Sequence, residues 1–329
     1  MKPSPITPLI LGRGRAGQAI AHAFNWLKSS GAELAEPRFV ARGTNWEEAC
    51  RGVARPLACI ANPHGLHTKA LLEVAGAGIG FALCEKPAAV TMDELAKLRD
   101  LPTRVGILHG YRQSWGVAKL KELLDSGALG RLVAIEGRYW QASAAERALN
   151  PSPQKTWKDD PALSGPFDTY LDLGTHWVDA ASFLAGAAPE KIRAFRSIPS
   201  GSPSHRDAHV QLSIHYPHLT AMASVSKLIH GAGNHFEINL LGEAGTATWN
   251  FERPDEIRLG HGREMRLIRR LKDSAGSGLP PFHGLGWLEG YVAIASGMVA
   301  EMNGVSKGAY PTLPEHLRIL RPMLDADWI

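Results

Sequence analysis

The stretch Gly12-Arg13-Gly14-Arg15-Ala16-Gly17 follows a short apolar run, Pro8-Leu9-Ile10-Leu11, and opens a segment with helical periodicity. Apolar residues recur in that segment at positions 16, 19, 20, 23, 24 and 27, which is one face of a helix. In a strand, glycine loop and helix of this form, the glycines permit a tight turn, a close approach to the backbone and helix–strand packing. The N–H groups at the helix N-terminus favour an anion such as a pyrophosphate. We therefore predict a dinucleotide-binding loop rather than an ordinary glycine turn.

The first third of the chain alternates apolar strands with helices. We predict strands at residues 8–11, 38–41, 56–61, 80–84 and 104–108, with capping boxes at Thr44 to Glu47 and Thr91 to Glu94. Strands this apolar indicate a parallel sheet that is covered on both faces, and such sheets bind ligands at the carboxyl ends of their strands. We expect the residues at those ends to face one crevice: the Gly12 loop, Arg42, Asn62, Glu85, Lys86, His109, Tyr111 and Arg112.

Beyond residue 112 the pattern changes to an alternation of period two. In residues 208–216 an apolar set that includes Val210 and Ile214 alternates with a polar set that includes His209 and Gln211. The alternation continues at 220–227, 235–241, 246–251 and 256–259 and predicts a mostly antiparallel sheet with one covered face. We also predict a strand at 132–140, a polar loop at 142–167 and helices at 116–124, from Asp172, at 287–301 and from Pro314.

The predicted fold class is an α/β Rossmann domain at residues 1–112, followed by an α+β domain at 113–329 with an open-faced, mostly antiparallel sheet. The open face of that sheet would be free for a partner subunit. The 44% hydrophobic and 21% charged composition is typical of a globular protein, and the net charge of +4 is too small and too scattered to indicate a nucleic-acid partner. The densest basic cluster, residues 263–272, is interpreted as a solvated strand or loop.

Three cysteines without a motif indicate buried thiols rather than a disulfide framework. No window of the sequence resembles a membrane span or a signal peptide, so the expected location is the cytoplasm, with no membrane partner. His64 and His67 have a spacing that could hold a metal, but no second pair of ligands has zinc-like spacing. We therefore predict no metal.

Two further clusters point to chemistry. Lys86 lies in Glu85-Lys86-Pro87 directly after a predicted buried strand, where a lysine would be partly desolvated; a surface Lys-Pro at a helix start is the alternative. Asp172 and His176 are four residues apart, so in a helix they would stand on one face. A carboxylate there can orient an imidazole that acts as a general base. The alternative is a capping aspartate beside a packed histidine.

These motifs, taken in their order and spacing, resemble the Gfo/Idh/MocA family of glucose–fructose oxidoreductase, inositol dehydrogenase and rhizopine-catabolism proteins. The resemblance rests on Gly12-x-Gly14-x-x-Gly17, Asn62-Pro63-x-x-x-His67, Glu85-Lys86-Pro87, Gly110-Tyr111-Arg112 and Asp172-x-Gly174-x-His176-x-x-Asp179. It implies a Rossmann domain, an open-faced sheet domain, NAD or NADP as cofactor, and a homodimer or homotetramer built on that sheet. It also implies Lys86, Asp172 and His176 as the catalytic residues.

The residues expected at the cofactor are Gly12, Arg13, Gly14, Arg15, Ala16, Gly17, Arg42, Thr44, Asn62, His67, Glu85 and Lys86. Those expected at the substrate are Lys86, Tyr111, Arg112, Trp157, Asp168, Asp172 and His176. Two features depart from the family pattern. Asp168 stands in a segment where members carry a run of glycines, and Arg42 ends the second strand in place of an acidic residue. Because a guanidinium can pair with a 2′-phosphate, Arg42 predicts a preference for NADP, with NAD as the second cofactor.

The resulting hypothesis is an oxidoreductase that transfers hydride between a nicotinamide and a carbinol or carbonyl of a sugar, cyclitol or related polar cyclic compound. A non-catalytic sensor of sugar and cofactor on the same fold is one alternative, although this chain keeps both Lys86 and His176. A glycoside hydrolase that uses NAD transiently is the other. Net consumption of cofactor distinguishes a dehydrogenase from such a hydrolase.

Overall fold

The computed structural model describes residues 4–150, 154, 156–199, 206–271, 284–305 and 308–329. Its strands are β1 (Thr7–Leu11), β2 (Arg38–Val40), β3 (Pro56–Ile60), β4 (Phe81–Cys84), β5 (Arg104–Ile107), β6 (Leu132–Trp140), β7 (Lys191–Ser197), β8 (His209–His215), β9 (Thr220–Ser226), β10 (His235–Gly242), β11 (Thr246–Asn250), β12 (Glu256–His261), β13 (Glu264–Arg269) and β14 (Asp327–Trp328). Its helices are α1 (Arg15–Ser29), α2 (Trp46–Ala49), α3 (His67–Gly76), α4 (Met92–Lys97), α5 (Trp115–Asp125), α6 (Ser143–Leu149), α7 (Pro161–Ser164), α8 (Thr175–Ala185), α9 (Leu288–Met302) and α10 (Leu313–Leu324).

The chain forms two compact units. The first unit comprises Met1–Gln113 and Leu285–Leu317, and the second comprises Ser114–Gly284 and Arg318–Ile329. The first boundary lies next to the expected one at residue 112, but residues 285–317 group with the first unit instead of the second. The reason is packing: Ile294 and Met298 of α9 share a buried core with Phe24 of α1. Periodicity identifies a helix late in the chain but not the element that it packs against.

The first unit contains a five-stranded sheet in the order β2-β1-β3-β4-β5. All its pairs are parallel, as shown by the registers Leu9↔Arg38, Leu9↔Ala58 and Cys59↔Leu83. Every residue of β1 is buried, which agrees with its apolar sequence. The predicted doubly covered parallel sheet is therefore confirmed. The loops that follow these strands carry the candidate residues of the first unit.

The second unit contains a nine-stranded sheet in the order β13-β12-β11-β10-β6-β9-β8-β7-β14. Its pairs are antiparallel except for β6 with β9 and β7 with β14, so the mostly antiparallel sheet is confirmed. The sequence pattern did not predict β7 or β14, and for the segment of β13 it left a solvated strand and a loop both open. β14 has only two residues, and every residue of β13 is at least partly exposed, so it lacks the alternation that reveals a strand. β13 occupies most of the basic cluster; Lys272 lies outside the described residues.

One face of this sheet is buried and the other is open. In β8, Val210, Leu212 and Ile214 are buried, whereas Gln211 on the opposite face is exposed. The open face also carries apolar side chains: Phe195 is 50% exposed and Met222 is 60% exposed. The predicted alternation is therefore confirmed, and the open face is less polar than the sequence suggested.

The expected loop at 142–167 contains short helices. α6 and α7 lie within it, as does a 3-10 turn at Trp157–Asp159, while residues 151–153 and 155 lie outside the described part of the chain. Asp160 caps α7 by accepting a hydrogen bond from the N–H of Ala162 at 2.9 Å. Polar residues that suggested a loop here thus serve as caps: Asp160 for α7, and Thr156 with Asp159 for the 3-10 turn.

Candidate active site

The glycine loop of the first unit has the geometry of a cradle. Gly12 has φ +116°, and a Cβ there would meet the carbonyl oxygen of Ala61 at 2.3 Å. A Cβ on Gly17 would meet the carbonyl oxygen of Gly12 at 1.9 Å, so the start of α1 packs directly on the loop. A Cβ on Gly14 would meet nothing within 4 Å. The outer glycines are thus required by the fold, and the middle one faces open space at the start of α1.

Asn62 follows β3 beside this loop. Its Oδ1 is buried, and no donor among the described residues reaches it. Such an atom costs free energy unless a ligand or water supplies a hydrogen bond. A dinucleotide fits this arrangement, because the open Gly14, the N-terminus of α1 and the Asn62 oxygen together offer both donors and an acceptor.

Arg13, Arg42 and Thr44 lie around the end of β2. The Arg13 guanidinium stands 5.3 Å from the centroid of the Phe39 ring. Arg42 is exposed in the turn after β2, and Thr44 is half-buried in the same turn. Asn45, not Thr44, caps α2 by accepting a hydrogen bond from the N–H of Glu47 at 2.8 Å. The predicted capping role of Thr44 is therefore wrong.

Lys86 is buried, with 6% of its surface exposed, at the end of β4. The segment Lys86-Pro87-Ala88 contains a cis Lys86–Pro87 bond and is held by side chains from other elements. His67 Nδ1 lies 2.7 Å from the carbonyl oxygen of Pro87, and Thr68 donates a 2.9 Å hydrogen bond to the carbonyl oxygen of Ala88. The expected burial of Lys86 is confirmed, and the backbone that carries it is fixed.

His67 and His316 are the buried histidines of this arrangement. Burial lowers the pKa of His67, although its hydrogen bonds with the carbonyls of Pro87 and Asn62 act in the opposite direction. The N–H of Ala88 donates to Nε2 of His316 at 3.1 Å, so His316 carries its proton on Nδ1. That Nδ1 then donates to Nε2 of His109 at 2.9 Å. Burial lowers the pKa of His316 to about 3, in keeping with a neutral ring.

Neighbouring predicted residues of the first unit have structural partners. Tyr291 of α9 donates a short hydrogen bond to the buried carboxylate of Glu85. Arg112 donates to Glu315 at 3.0 Å, and Tyr111 is buried in the 3-10 turn Gly110–Gln113. The expected crevice residues therefore follow adjacent strands of one sheet. Arg112 and Glu85 also hold that region together.

In the second unit, the backbone around Asp172 departs from the expected helix. α8 begins at Thr175, and residues Tyr170–Gly174 form a π-helical turn before it. The prediction of an α-helix from about Asp172 is therefore wrong: the turn that contains Asp172 is π-helical, and the α-helix begins three residues later. A π-helical turn inserts extra backbone per turn and is frequent at functional sites. Asp172 and His176 consequently do not share one uninterrupted α-helix.

Asp172 lies in a cluster of alternating charges. Its Oδ2 accepts hydrogen bonds from Lys227 at 2.8 Å and from Lys158 at 2.9 Å. Lys227 also donates to Asp168 Oδ1 at 2.5 Å. The Lys227 side chain is 3% exposed and the Lys158 side chain 34% exposed. The carboxylate that departs from the family pattern, Asp168, therefore pairs with a buried lysine that no sequence motif indicated.

The two lysines of this cluster differ in their electrostatics. Desolvation lowers the pKa of Lys227, but attraction by Asp172 and Asp168 outweighs it and leaves that pKa raised. Attraction by Asp172 raises the pKa of Lys158, but desolvation and repulsion by Lys227 together leave it lowered. Lys227 is therefore the more firmly charged of the two.

His176 is half-buried in the first turn of α8, with its ring edge-on to Tyr139 at a centroid distance of 6.2 Å. The Tyr139 hydroxyl donates to Asn234 Oδ1 at 2.9 Å, and Gln141 donates to the same oxygen at 2.8 Å. Trp157 lies on the chain next to Lys158, whose ammonium is 5.6 Å from the Trp157 ring centroid. The sequence pattern carried no signal for this contact, because Asn234 lies more than 90 residues along the chain from Tyr139 and Gln141.

The predicted residues therefore form two groups, one in each unit. The first unit holds the glycine loop, Arg42, Thr44, Asn62, His67, Glu85, Lys86, Tyr111 and Arg112, and the second holds Trp157, Asp168, Asp172 and His176. Within the described ranges, no group of three or more His, Cys, Asp or Glu side chains could hold a metal ion. None of the helices in the described part of the chain is long and apolar enough to cross a membrane.

Comparisons with known proteins agree with this architecture. The sequence is 27% identical over 227 residues to levoglucosan dehydrogenase of Pseudarthrobacter phenanthrenivorans, covering 61% of this chain and 56% of that enzyme. The chain thus spans little more than half the length of that relative.

Among solved structures, levoglucosan dehydrogenase in complex with NADH and L-sorbose superposes with a TM-score of 0.82 at 22% identity, covering 99% of this chain and 98% of that one. An inositol dehydrogenase homologue from Azotobacter vinelandii, complexed with NAD+, superposes with a TM-score of 0.77 at 17% identity, covering 98% and 96%. Residues 117–248 match the family model described as the GFO/IDH/MocA C-terminal domain. The resemblance to the Gfo/Idh/MocA family that the motifs indicated is confirmed: residues 117–248 match its C-terminal domain model, and the fold is that of the solved neighbours.

Proposed function

We propose that this protein is an NAD(P)-dependent oxidoreductase that transfers hydride between a nicotinamide and a CH–OH group of a sugar or cyclitol. The observation that carries the proposal is the combination, in the first unit, of an open glycine cradle with the buried and tethered Lys86. Support comes from two relatives that are named as dehydrogenases and from neighbours solved with NAD+ or NADH.

In this proposal a bound nicotinamide supplies the hydride acceptor, and the residues of the chain manage the proton and the charge. His176 takes the proton from the substrate hydroxyl, since a neutral imidazole is a suitable base near neutral pH. Lys86 polarises the substrate oxygen and stabilises the negative charge that develops on it. Asp172 supplies a fixed negative charge in the same unit as His176. In the reverse direction the same groups protonate a carbonyl.

For the substrate we propose a polar cyclic compound, because the neighbours were solved with L-sorbose or, in another complex, with myo-inositol. Lys86, Tyr111, Arg112, Trp157, Asp168, Asp172 and His176 stay the predicted substrate residues. Trp157 offers an aromatic face, which suits the apolar side of a sugar ring. Asp168 and Arg112 each have a protein partner, so we assign them the shaping of the pocket.

For the cofactor we propose NADP in preference to NAD. Arg42 is exposed in the turn after β2, where its guanidinium is available to a 2′-phosphate. Thr44 is not used as a helix cap, which leaves its hydroxyl for the same ligand. The complexes among the neighbours contain NAD+ or NADH, so the preference rests on Arg42 and Thr44 of this chain.

For the assembly we propose a homodimer or homotetramer built on the open face of the sheet of the second unit. Phe195 and Met222 expose apolar surface there, and a second copy of the chain can cover such a face.

The experiment that tests the function is a cofactor-reduction screen of the wild-type protein. Levoglucosan, myo-inositol, L-sorbose and common aldoses are each supplied with NADP and with NAD, and the near-ultraviolet absorbance of reduced nicotinamide is followed. We expect at least one polyol or sugar to give stoichiometric reduction. Turnover of a glycoside without net reduction would instead indicate the hydrolase, and cofactor binding without any turnover would indicate the sensor.

A further inference from the structure

Lys227 is the one lysine of the charge cluster that is fully enclosed, and it touches both carboxylates. It donates to Asp168 at 2.5 Å and to Asp172 at 2.8 Å while only 3% of its side chain is exposed. A buried ammonium is costly unless its charge is balanced and its hydrogen bonds are satisfied. Here both conditions are met by the two carboxylates. The enclosed lysine and the unusual Asp168 therefore belong to one arrangement.

The backbone on both sides of this arrangement is fixed. The N–H of Lys227 donates to the carbonyl of Ala208 at 2.8 Å, and its own carbonyl accepts from Ala144 at 2.9 Å. Asp207 accepts hydrogen bonds from the N–H groups of Asp168 at 2.9 Å and Tyr170 at 2.7 Å, which fixes the turn before Asp172. The backbone at Lys227 and the turn before Asp172 are therefore both held, so the contact between the ammonium and the carboxylate cannot easily lengthen.

We propose that Lys227 is a positioning residue that holds Asp172 ionised and in one orientation, with Asp168 as the counter-charge that keeps Lys227 itself in place. The cluster of Lys158, Lys227, Asp168 and Asp172 is neutral overall, so it is not a binding site for an anion. Its effect is on Asp172: two ammonium groups on one carboxylate oxygen favour its charged form. Lys227 acts through Asp172 and is not assigned any contact with substrate.

This inference rests on the proposed function for its consequence in catalysis but not for its geometry. If Asp172 serves as the fixed charge beside His176, then loss of Lys227 changes the pH at which the enzyme works. The ionisable groups that contact Asp172 include Lys158 and Lys227. Asp168 and Asp207 act on Lys227 or on each other, and His176 lies four residues along the chain. Of the two lysines in this set, Lys227 is the one that bridges Asp168 and Asp172.

The test is a titration of the Asp172 carboxyl by ¹³C nuclear magnetic resonance in the full chain, with its signal assigned from the Asp172→Asn variant. In Lys227→Met, which keeps the volume but not the charge, we expect the Asp172 midpoint to rise by about one to three pH units. In Lys158→Met, the matched control at the same oxygen, we expect a smaller rise, because that lysine is one-third exposed and solvent screens its charge.

A second substitution separates electrostatics from packing. In Lys227→Met/Asp168→Asn the cluster regains its neutrality, so we expect the midpoint to fall back below that of Lys227→Met. If Lys227→Met does not fold, the double variant is compared with Asp168→Asn alone, and the loss of the ammonium is still expected to raise the midpoint. An Asp172 midpoint that is equal with and without Lys227 overturns the proposal.

Activity provides the link to function. With a substrate from the screen, Lys227→Met is expected to shift the acidic limb of the profile of kcat against pH to higher pH, with a smaller change in KM. Adding Asp168→Asn to this variant is expected to reverse part of the shift. The magnetic resonance titration needs no substrate. A shifted midpoint in a protein without activity would therefore contradict the proposed function and leave the role of Lys227 intact.

Discussion

The charged side chains among the candidate site residues differ widely in how much of their surface is exposed. Lys86 and Lys227 are almost fully enclosed, whereas Arg42 is exposed to solvent. An enclosed charge is held by the groups around it, and its removal leaves those groups without their partner. An exposed charge such as Arg42 can be removed without such a cost, so its role can be tested in isolation.

The Arg42→Ala variant is expected to weaken the binding of NADP by roughly 1.5–3 kcal/mol, which is the range for hydrogen bonds to a charged group. NAD lacks the 2′-phosphate and is expected to bind almost as before. Calorimetric titration of the wild type and the variant with both cofactors measures this difference.

The matched control is Arg38→Ala, which removes an exposed arginine from the other end of β2. It is expected to leave both affinities unchanged. Tighter binding of NAD than of NADP by the wild-type protein would refute the assigned preference.

From the sequence alone, a residue could be assigned to the candidate site only where it lies in a local motif. Lys86 follows an apolar strand and precedes a proline, and its burial is confirmed. Lys227 and His316 could not be found in this way, because each meets its partners only after distant parts of the chain fold together. Their own neighbours in sequence carry no periodic or spacing signal for those contacts.

At the scale of an element, the segment Lys86-Pro87-Ala88 shows how a loop can be as fixed as a strand. His67, Thr68 and His316 bind its backbone from two helices, α3 and α10. Since His316 accepts a hydrogen bond from Ala88, its ring must stay neutral for this contact to form. Protonation of His316 at low pH is therefore expected to break its hydrogen bond with Ala88.

The stability of the protein is expected to fall as the pH decreases below about 6.5, the ordinary value of a histidine. The pKa of His316 is lowered to about 3 in the folded chain, so between these values the unfolded chain binds the proton and the folded chain does not. The contribution of His316 is fully present above about 6.5 and is lost as the pH falls toward 3. Going from about pH 7.5 to about pH 5.5 should cost about 1.4 kcal/mol from this residue.

Urea unfolding of the wild type and of His316→Gln at these two pH values checks the prediction. Glutamine accepts the Ala88 hydrogen bond but does not titrate, so the free energy of unfolding of the variant should depend less on pH by about that amount. An identical pH dependence in both proteins would contradict the prediction, because it would mean that folding leaves the pKa of His316 unchanged.

Strands and helices were predicted correctly where the sequence pattern reflects burial. The predictions were wrong where contacts with distant residues determine the local structure. The five parallel strands of the first unit follow from apolar runs, because such strands are buried on both faces. The π-helical turn at Tyr170–Gly174 has no such pattern: Asp207 and Met323 bind its residues from elsewhere in the chain. The helix predicted from Asp172 is therefore shorter than its sequence suggested.

At the scale of the whole molecule, the second unit presents one open face of a nine-stranded sheet. Phe195 and Met222 are half or more exposed on that face, and Trp140 lies on the same side with its indole N–H bound to Ser224. Burying these side chains against a second copy would stabilise an assembly by the hydrophobic effect.

We expect the wild-type protein to sediment as a dimer or tetramer at micromolar concentration and Phe195→Lys/Met222→Lys to sediment as a smaller species. Analytical ultracentrifugation measures both. Leu72→Lys, which changes a partly exposed leucine of α3 in the first unit, is the control and should sediment like the wild type. A monomeric wild-type protein would rule out assembly through this face.

In the proposed mechanism, Lys86 and His176 promote hydride transfer between substrate and nicotinamide by stabilising the charge on the substrate oxygen and by taking its proton. The most direct test of this mechanism is single-turnover kinetics with the best substrate from the screen, deuterated at the reacting carbon, in wild type, Lys86→Ala and His176→Ala. We expect the wild type to place the deuterium on the nicotinamide ring, and each variant to remain folded and to lose on the order of 10²–10⁴ in rate. The controls Lys69→Ala and His22→Ala remove exposed residues and should keep the full rate. Transfer at an unchanged rate in both Lys86→Ala and His176→Ala would contradict the mechanism.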